Sequence, residues 1–227
     1  TDSEVVVHLI AQPENMTDGD MDLSKCLAYL KGAFSFLFMT RDTMIAACDP
    51  NKFRPLAIGT LNGGYVVASE TCVFDIIGAE YLREIEPGEI VSFSEQGMES
   101  SFYISAENRK LSHCIFEMIY FSRPDSNVFG ENVHTFRSKL GRRMCEENPA
   151  VADMVISIPD SGNSAAIGYA EKAGIPFQRG FIRNHYVGRT FIQPKQSERD
   201  VSVKMKLNVI KEQVEGKEII VVDDSLI

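Results

Sequence analysis

The chain has 227 residues, 44% of them hydrophobic and 24% charged, with a net charge of −9. This is the composition of a folded, water-soluble protein with apolar material for one large domain or two small ones, and it excludes disorder and collagen-like repeats. Its longest nearly apolar stretch, Ala33–Met39, is far short of the roughly 20 residues a membrane span needs, and the negative charge disfavours nucleic acid. With no basic-then-apolar leader at its start, the chain reads as cytoplasmic, with no membrane or nucleic-acid partner. Five cysteines without a CxxC pair read as free thiols rather than a disulfide framework or a self-contained zinc site.

In chain order, helical stripes over Glu4–Ala11 and Asp22–Leu30 precede short β-rich runs at Ala33–Met39, Met44–Cys48, Leu56–Ile58 and Tyr65–Ala68. Two more strands are expected within Glu84–Ile104, turning at Glu95-Gln-Gly97. The polar stretch Ser105–Ser112 is an expected domain boundary. Beyond it the rhythm changes. Val133, Phe136, Leu140 and Met144 lie at helical spacing, Met154–Ile156 is a strand, and Asn163–Lys172 is an Ala-rich helix. A strand is expected from Ile175, a helix over Lys204–Val214 and an apolar strand over Glu218–Val222. An antiparallel α+β portion thus leads into an open α/β portion, whose ligands belong at the carboxyl ends of parallel strands.

Three segments carry chemistry. Ile219-Ile-Val-Val222 runs straight into Asp223 and Asp224; a helix N-cap is the other use for such residues, but the doubled acid after an apolar strand favours a site for vicinal hydroxyls or Mg²⁺. Asp160-Ser161-Gly162-Asn163-Ser164 joins a strand to a helix with small residues and hydroxyls, as an anion cradle or an ordinary βα turn does. Between Arg179 and Lys206 seven basic residues face two acidic ones, a local +5 that leaves −14 elsewhere. That reversal suits a pocket for a small polyanion and also a solvated loop. Within it, the segment from Arg183 to Pro194 has little apolar periodicity and reads as a flap.

Taken together, VVDDSLI, IPDSGNSAAIGYA, RNHYVGRTFIQP and HCIFEMIYFSRPDSNV resemble the glutamine phosphoribosylpyrophosphate (PRPP) amidotransferase family along essentially the whole chain. The resemblance implies an α+β N-terminal-nucleophile glutaminase portion (antiparallel sheets with helices) over 1–108. Joined to it over 109–227 is an α/β type I phosphoribosyltransferase portion (parallel sheet). It implies transfer of ammonia from glutamine to PRPP, giving 5-phosphoribosylamine, pyrophosphate and glutamate, the first step of de novo purine synthesis. Asp2 would receive the α-amino group of glutamine. Asp223, Asp224 and Ser225 would hold the ribose hydroxyls, with Mg²⁺ on Asp223, Asp224 and Ser161, and the loop Asp160–Ser164 would take pyrophosphate. In the flap, Arg189 would contact pyrophosphate or the transition state and Tyr186 would line an ammonia channel, with Arg183 a further substrate contact. Cys114 stands where one subgroup ligates a 4Fe-4S cluster. Purine nucleotides are the expected feedback inhibitors, and a homodimer or homotetramer the expected assembly.

The family's N-terminal cysteine nucleophile and its 5-phosphate turn are not in these 227 residues, so the resemblance implies an internal fragment lacking both ends and inactive by itself. Two other readings are a PRPP-sensing regulator without catalysis and a salvage phosphoribosyltransferase for purine bases. The first lacks a helix-turn-helix signal and the second leaves residues 1–108 without a role.

Overall fold

The computed structural model describes residues 2–12, 16–17, 20–186 and 206–225. Their contacts gather into two compact units, one of residues 1–117 with 127–130, the other of 118–126 with 131–227.

The first unit opens with helix α1 (Asp2–Ile10), a two-stranded ribbon of β1 (Met16–Thr17) and β2 (Asp20–Met21), and helix α2 (Leu23–Tyr29). Asp22 caps α2 by accepting the Lys25 amide at 3.2 Å, so the helix begins where the sequence pattern places it. Strands β3 (Ser35–Met39), β4 (Met44–Cys48), β8 (Glu89–Ser94) and β9 (Gly97–Phe102) form one antiparallel sheet in the order β3-β4-β8-β9. Strands β5 (Ala57–Leu61), β6 (Gly64–Ala68) and β7 (Glu80–Glu84) form a second, in the order β6-β5-β7.

The alternation of β4 decides the layering. Ala46 and Cys48 join Leu56, Ile58, Ile85, Val91 and Phe93 in a core shared with the second sheet. Ala47 of the same strand, with Ile90, packs instead under Leu23, Leu27 and Phe34. Successive side chains point to opposite faces, so a strand apolar at every position is covered on both.

Helix α3 (Cys72–Ile77) and strand β7 have no counterpart among the expected elements. Their sequences carry little alternation, because β7 exposes Glu80, Tyr81 and Leu82 in succession. The polar stretch 105–112 is tied to this unit: Lys110 and Ser112 donate their amides to the Pro50 and Asn51 carbonyls at 3.0 and 2.8 Å. Two short strands follow, β10 (Asn127–Val128) and β11 (Glu131–Asn132).

In the second unit α4 (Val133–Glu147) is capped by Asn132, whose Oδ1 accepts the Thr135 amide at 3.0 Å. Strand β12 (Met154–Ser157), helix α5 (Asn163–Ala173) and strand β15 (Ile219–Val222) form the α/β layer, with β12 and β15 parallel and in register from Met154↔Ile219 to Ser157↔Val222. Val155, Ala166, Tyr169, Ala170, Cys145 and Val222 are its core.

Between α5 and β15 the expected elements change. The strand expected from Ile175 reduces to one parallel bridge, Phe177 to Val155. Strand β13 (Phe181–Arg183) instead pairs antiparallel with β14 (Leu207–Val209), followed by one helical turn, α6 (Lys211–Val214). Leu207–Val209 was expected inside a helix. The β13 partner supplies ladder hydrogen bonds that outweigh the helical spacing, since propensity is a weak prior against tertiary pairing.

Candidate functional site

Strand β12 ends at Ser157 and the chain turns through Ile158–Gly162 into α5; within this turn the Pro159–Asp160 peptide is cis. The turn lies against the end of β15. Ile158 donates its amide to the Val222 carbonyl at 2.9 Å, and a Cβ on Gly162 would stand 2.7 Å from that same oxygen and 3.4 Å from the Asp223 Cα. Only glycine fits so close an approach, and this contact brings two separately recognised segments, the small-residue loop and the acid pair, to one sheet edge.

Helix α5 starts without a side-chain cap, because its N-cap is Gly162. The Asn163 amide bonds the Asp160 carbonyl at 3.3 Å, and the next amides of the first turn remain available to an anion, with the positive end of the helix dipole behind them. Beside it, the Ser157 hydroxyl donates to Asn163 Oδ1 at 2.5 Å and so fixes the amide of the first helical residue.

A cavity of about 360 Å³ opens here, with Ser157, Asp160, Asn163, Arg179, Arg183 and His185 among its lining and Ile167 and Phe177 on its apolar side. Arg183 comes from β13 and pairs with Asp160, Nη1 to Oδ2 at 2.6 Å. Its Nε is buried without a hydrogen-bond partner among the described residues. A cationic wall with a spare donor, held by one acid that an incoming anion can replace, is chemically a polyanion site.

The acid pair is set by local bonds. Asp223 Oδ1 accepts the Asp224 amide at 2.8 Å and Asp224 Oδ1 accepts the Ser225 hydroxyl at 2.7 Å. Partial desolvation pushes the Asp223 carboxyl above its ordinary value; the Asp224 amide opposes this and the neighbouring Asp224 charge adds to it. Two such carboxylates are relieved by a divalent cation, which Mg²⁺ sites commonly hold through one or two carboxylates, water and substrate phosphate.

Several expected site residues stand apart from this edge. Ser164 is 4% exposed and its hydroxyl bonds His134 Nδ1 at 2.9 Å, so it lines α4 rather than the cavity. Tyr186 is fully exposed at the end of the described stretch. Arg183, the first residue of the expected flap, ends strand β13, whereas Arg189 and the other flap residues from 187 onward lie outside the described residues, as does the side chain of Asp2, whose backbone begins α1. Ser161 is half-buried beside the turn. Arg179, His185 and Ser157 were not singled out as site residues. Position within the basic stretch was the available signal for the first two; Ser157 had none, being the last residue of a buried strand.

Cys114 is half-buried, while Cys26, Cys48, Cys72 and Cys145 are buried. Iron–sulfur clusters take four thiolates, and among the described residues no three His, Cys, Asp or Glu side chains gather in a metal-ligating group. Likewise, no described helix is long and apolar enough to cross a membrane.

One unit thus carries antiparallel sheets with helices, and the other carries parallel strands that end at a paired-acid edge. The solved structure of glutamine PRPP amidotransferase from B. subtilis, complexed with ADP and GMP, matches with a TM-score of 0.90 and 51% identity over 100% of this chain and 49% of that one. A structure described as the allosteric regulatory enzyme of purine biosynthesis matches at 0.89. In sequence, the amidophosphoribosyltransferase of Bacillus subtilis is 51% identical over 227 residues, which are 100% of this chain and 47% of that protein. The chloroplastic amidophosphoribosyltransferase of Glycine max is 47% identical over 100% of this chain and 40% of its own length. No family model matches. Along all 227 residues the chain is similar to the amidophosphoribosyltransferases, and it spans about half the length of the curated relatives it matches.

Proposed function

We propose that the chain is part of a glutamine-dependent amidophosphoribosyltransferase. Residues 1–108 belong to its glutaminase domain and 109–227 to its phosphoribosyltransferase domain. The enzyme hydrolyses glutamine to glutamate and passes the ammonia to C1 of PRPP, where a C–N bond forms as the C–O bond to pyrophosphate breaks. The observation that carries this reading is the 360 Å³ cavity at the end of β12, where a small-residue turn, an uncapped helix and two arginines meet beside the acid pair of β15.

In this reading the pyrophosphate of PRPP occupies the cavity, receiving hydrogen bonds from α5 amides and from Arg183 once Asp160 releases it. Charge on the leaving group is stabilised there by donors fixed in advance. Asp223 and Asp224 accept the ribose hydroxyls and, with Ser161, hold Mg²⁺, which when bound neutralises pyrophosphate oxygens. Asp2 takes the glutamine ammonium, and Arg189 and Tyr186 act from the flap. Purine nucleotides, the kind of ligand named for the B. subtilis structure, are the inhibitors in this reading, and the assembly is a homodimer or homotetramer. A cytoplasmic setting goes with it, or a plastid one in a plant, as the soybean relative's name has it. A cluster on Cys114 is no part of the proposal, which rests on the cavity and the acid pair.

The test is glutamine- and PRPP-dependent pyrophosphate release by the full-length gene product, with guanine and hypoxanthine as competing acceptors. Glutamate and pyrophosphate appearing in equal amounts is expected, and loss of PRPP-dependent turnover in Asp223→Asn. Pyrophosphate release with a purine base and no glutamine would instead make it a salvage transferase. PRPP binding without any turnover would make it a sensor.

A further inference from the structure

Helices α4 and α5 run side by side far closer than ordinary side chains allow. A Cβ on Gly141 would sit 1.9 Å from the Ala165 carbonyl oxygen, and one on Gly168 would sit 2.0 Å from that of Ser138. The Ser138 hydroxyl donates to the Ser164 carbonyl at 3.2 Å, and at the head of the pair His134 Nδ1 meets the Ser164 hydroxyl at 2.9 Å. Ser164 is the second residue of α5, next to Asn163, which lines the cavity.

The alternatives open to that hydroxyl are few. Ser164 is 4% exposed, and a serine in a helix that lacks an outside partner bonds back to the carbonyl four residues earlier, which bends the helix. Here that carbonyl belongs to Asp160, which already accepts the Asn163 amide at 3.3 Å and so closes the turn. A released Ser164 hydroxyl competes for the oxygen that sets the turn carrying Asp160, Ser161 and Gly162. His134 removes the competitor.

We propose that His134 is a positioning residue for the anion-binding turn: by engaging the Ser164 hydroxyl from α4 it fixes the first turn of α5, and with it Asn163 and Asp160 at the cavity. His134 does not itself line the cavity, so its effect on a bound polyphosphate passes through Ser164. The inference deepens the proposed function and rests on PRPP being the ligand of this site.

The test compares His134→Ala, His134→Asn, Ser164→Ala and the His134→Ala/Ser164→Ala double variant of the full-length gene product. Loss of one neutral hydrogen bond predicts a rise in KM for PRPP of roughly five- to tenfold in His134→Ala, with kcat within about twofold. Asn, which also places a polar group near the Nδ1 position, restores KM to within about twofold of wild type. Ser164→Ala, which has no hydroxyl to compete, keeps KM within about twofold of wild type, and the double variant is restored toward wild type for the same reason. Multiplying effects, or a KM unchanged in His134→Ala, would overturn the proposal. Native-state amide exchange is the second readout: in His134→Ala, amides of residues 161–166 exchange faster while those of β12 and β15 do not, and equal exchange also overturns it. A wild type that turns over no PRPP refutes the proposed function instead, and the exchange measurement still decides the role of His134.

Discussion

Gly162 and Val222 meet at 2.7 Å in the sense that matters for a substitution: that is the distance from the Val222 carbonyl oxygen at which a side chain on Gly162 would begin. The Ile158 oxygen is nearly as close, at 2.9 Å. Both neighbours are backbone and cannot swing aside, so Gly162→Ala must lift the turn off the end of β15. Overpacking of this kind costs about 1–3 kcal/mol. The expected outcome is a lower urea midpoint together with at least a tenfold rise in KM for PRPP; unchanged values for both would separate the turn from the site.

The crossing of α4 and α5 tests propensity against packing. Ala at Gly141 or Gly168 gains about 1 kcal/mol of helix propensity, but meets backbone atoms at 1.9 and 2.0 Å. Two helices have to move apart, at about 2–3 kcal/mol or more. Each variant is therefore expected to be less stable than wild type by thermal melting, despite its better helix former.

Glu89 links acid sensitivity to the sheet layer. It is 2% exposed, and its carboxylate accepts two bonds from Arg83 at 2.7 and 2.9 Å, the Glu86 amide at 2.6 Å and the Ser100 hydroxyl at 2.5 Å. Burial pushes its carboxyl up; Arg83, the Glu86 amide and Ser100 more than offset this and hold it below its ordinary 4.5. A carboxyl depressed on folding stabilises above its unfolded value, and that contribution fades as pH falls through the folded one. Arg83→Ala leaves the carboxylate buried with its cation gone, at a cost of about 3 kcal/mol or more at pH 7. The penalty is expected to shrink toward pH 4, where the orphaned carboxyl takes a proton; a penalty independent of pH would refute the assignment.

Thiol chemistry separates Cys114 from the rest. Burial, with Asp49 nearby, pushes the Cys48 thiol to about 12, and burial with the Asp22 charge raises that of Cys26. Cys72 and Cys145 are buried as well. Thiolate, not thiol, reacts with iodoacetamide. At pH 8 Cys114 is expected to be carbamidomethylated first by mass spectrometry, with Cys48 protected until denaturant is added.

The Arg183–Asp160 pair is partly exposed, and such pairs are worth about 0–1 kcal/mol. Asp160→Asn frees the guanidinium for an anionic ligand and is expected to tighten inorganic pyrophosphate two- to fivefold by calorimetry, while Arg183→Gln weakens it. Weaker binding in Asp160→Asn would show that the acid belongs to the ligand site and not to a competing lock.

Much of this could be read without coordinates because it is local. Short β-rich runs bounded by turn residues marked β4 and β8, helical spacing marked α4, and VVDD placed two acids at the end of an apolar strand. The long ordered motifs also carried the family resemblance, which the comparisons with solved and curated relatives bear out.

Tertiary structure decided what depends on a distant partner. Leu207–Val209 has helical spacing and becomes a strand because Phe181–Arg183 lies beside it. Ser164, chemically a good phosphate contact, turns to His134 because α4 is pressed against α5 at two glycines. Arg183 and Asp160, 23 positions apart, become a pair at the cavity mouth. Local hydrogen bonding and side-chain period act over a few residues and are written in the chain; which two surfaces come within van der Waals contact is a property of the packed whole.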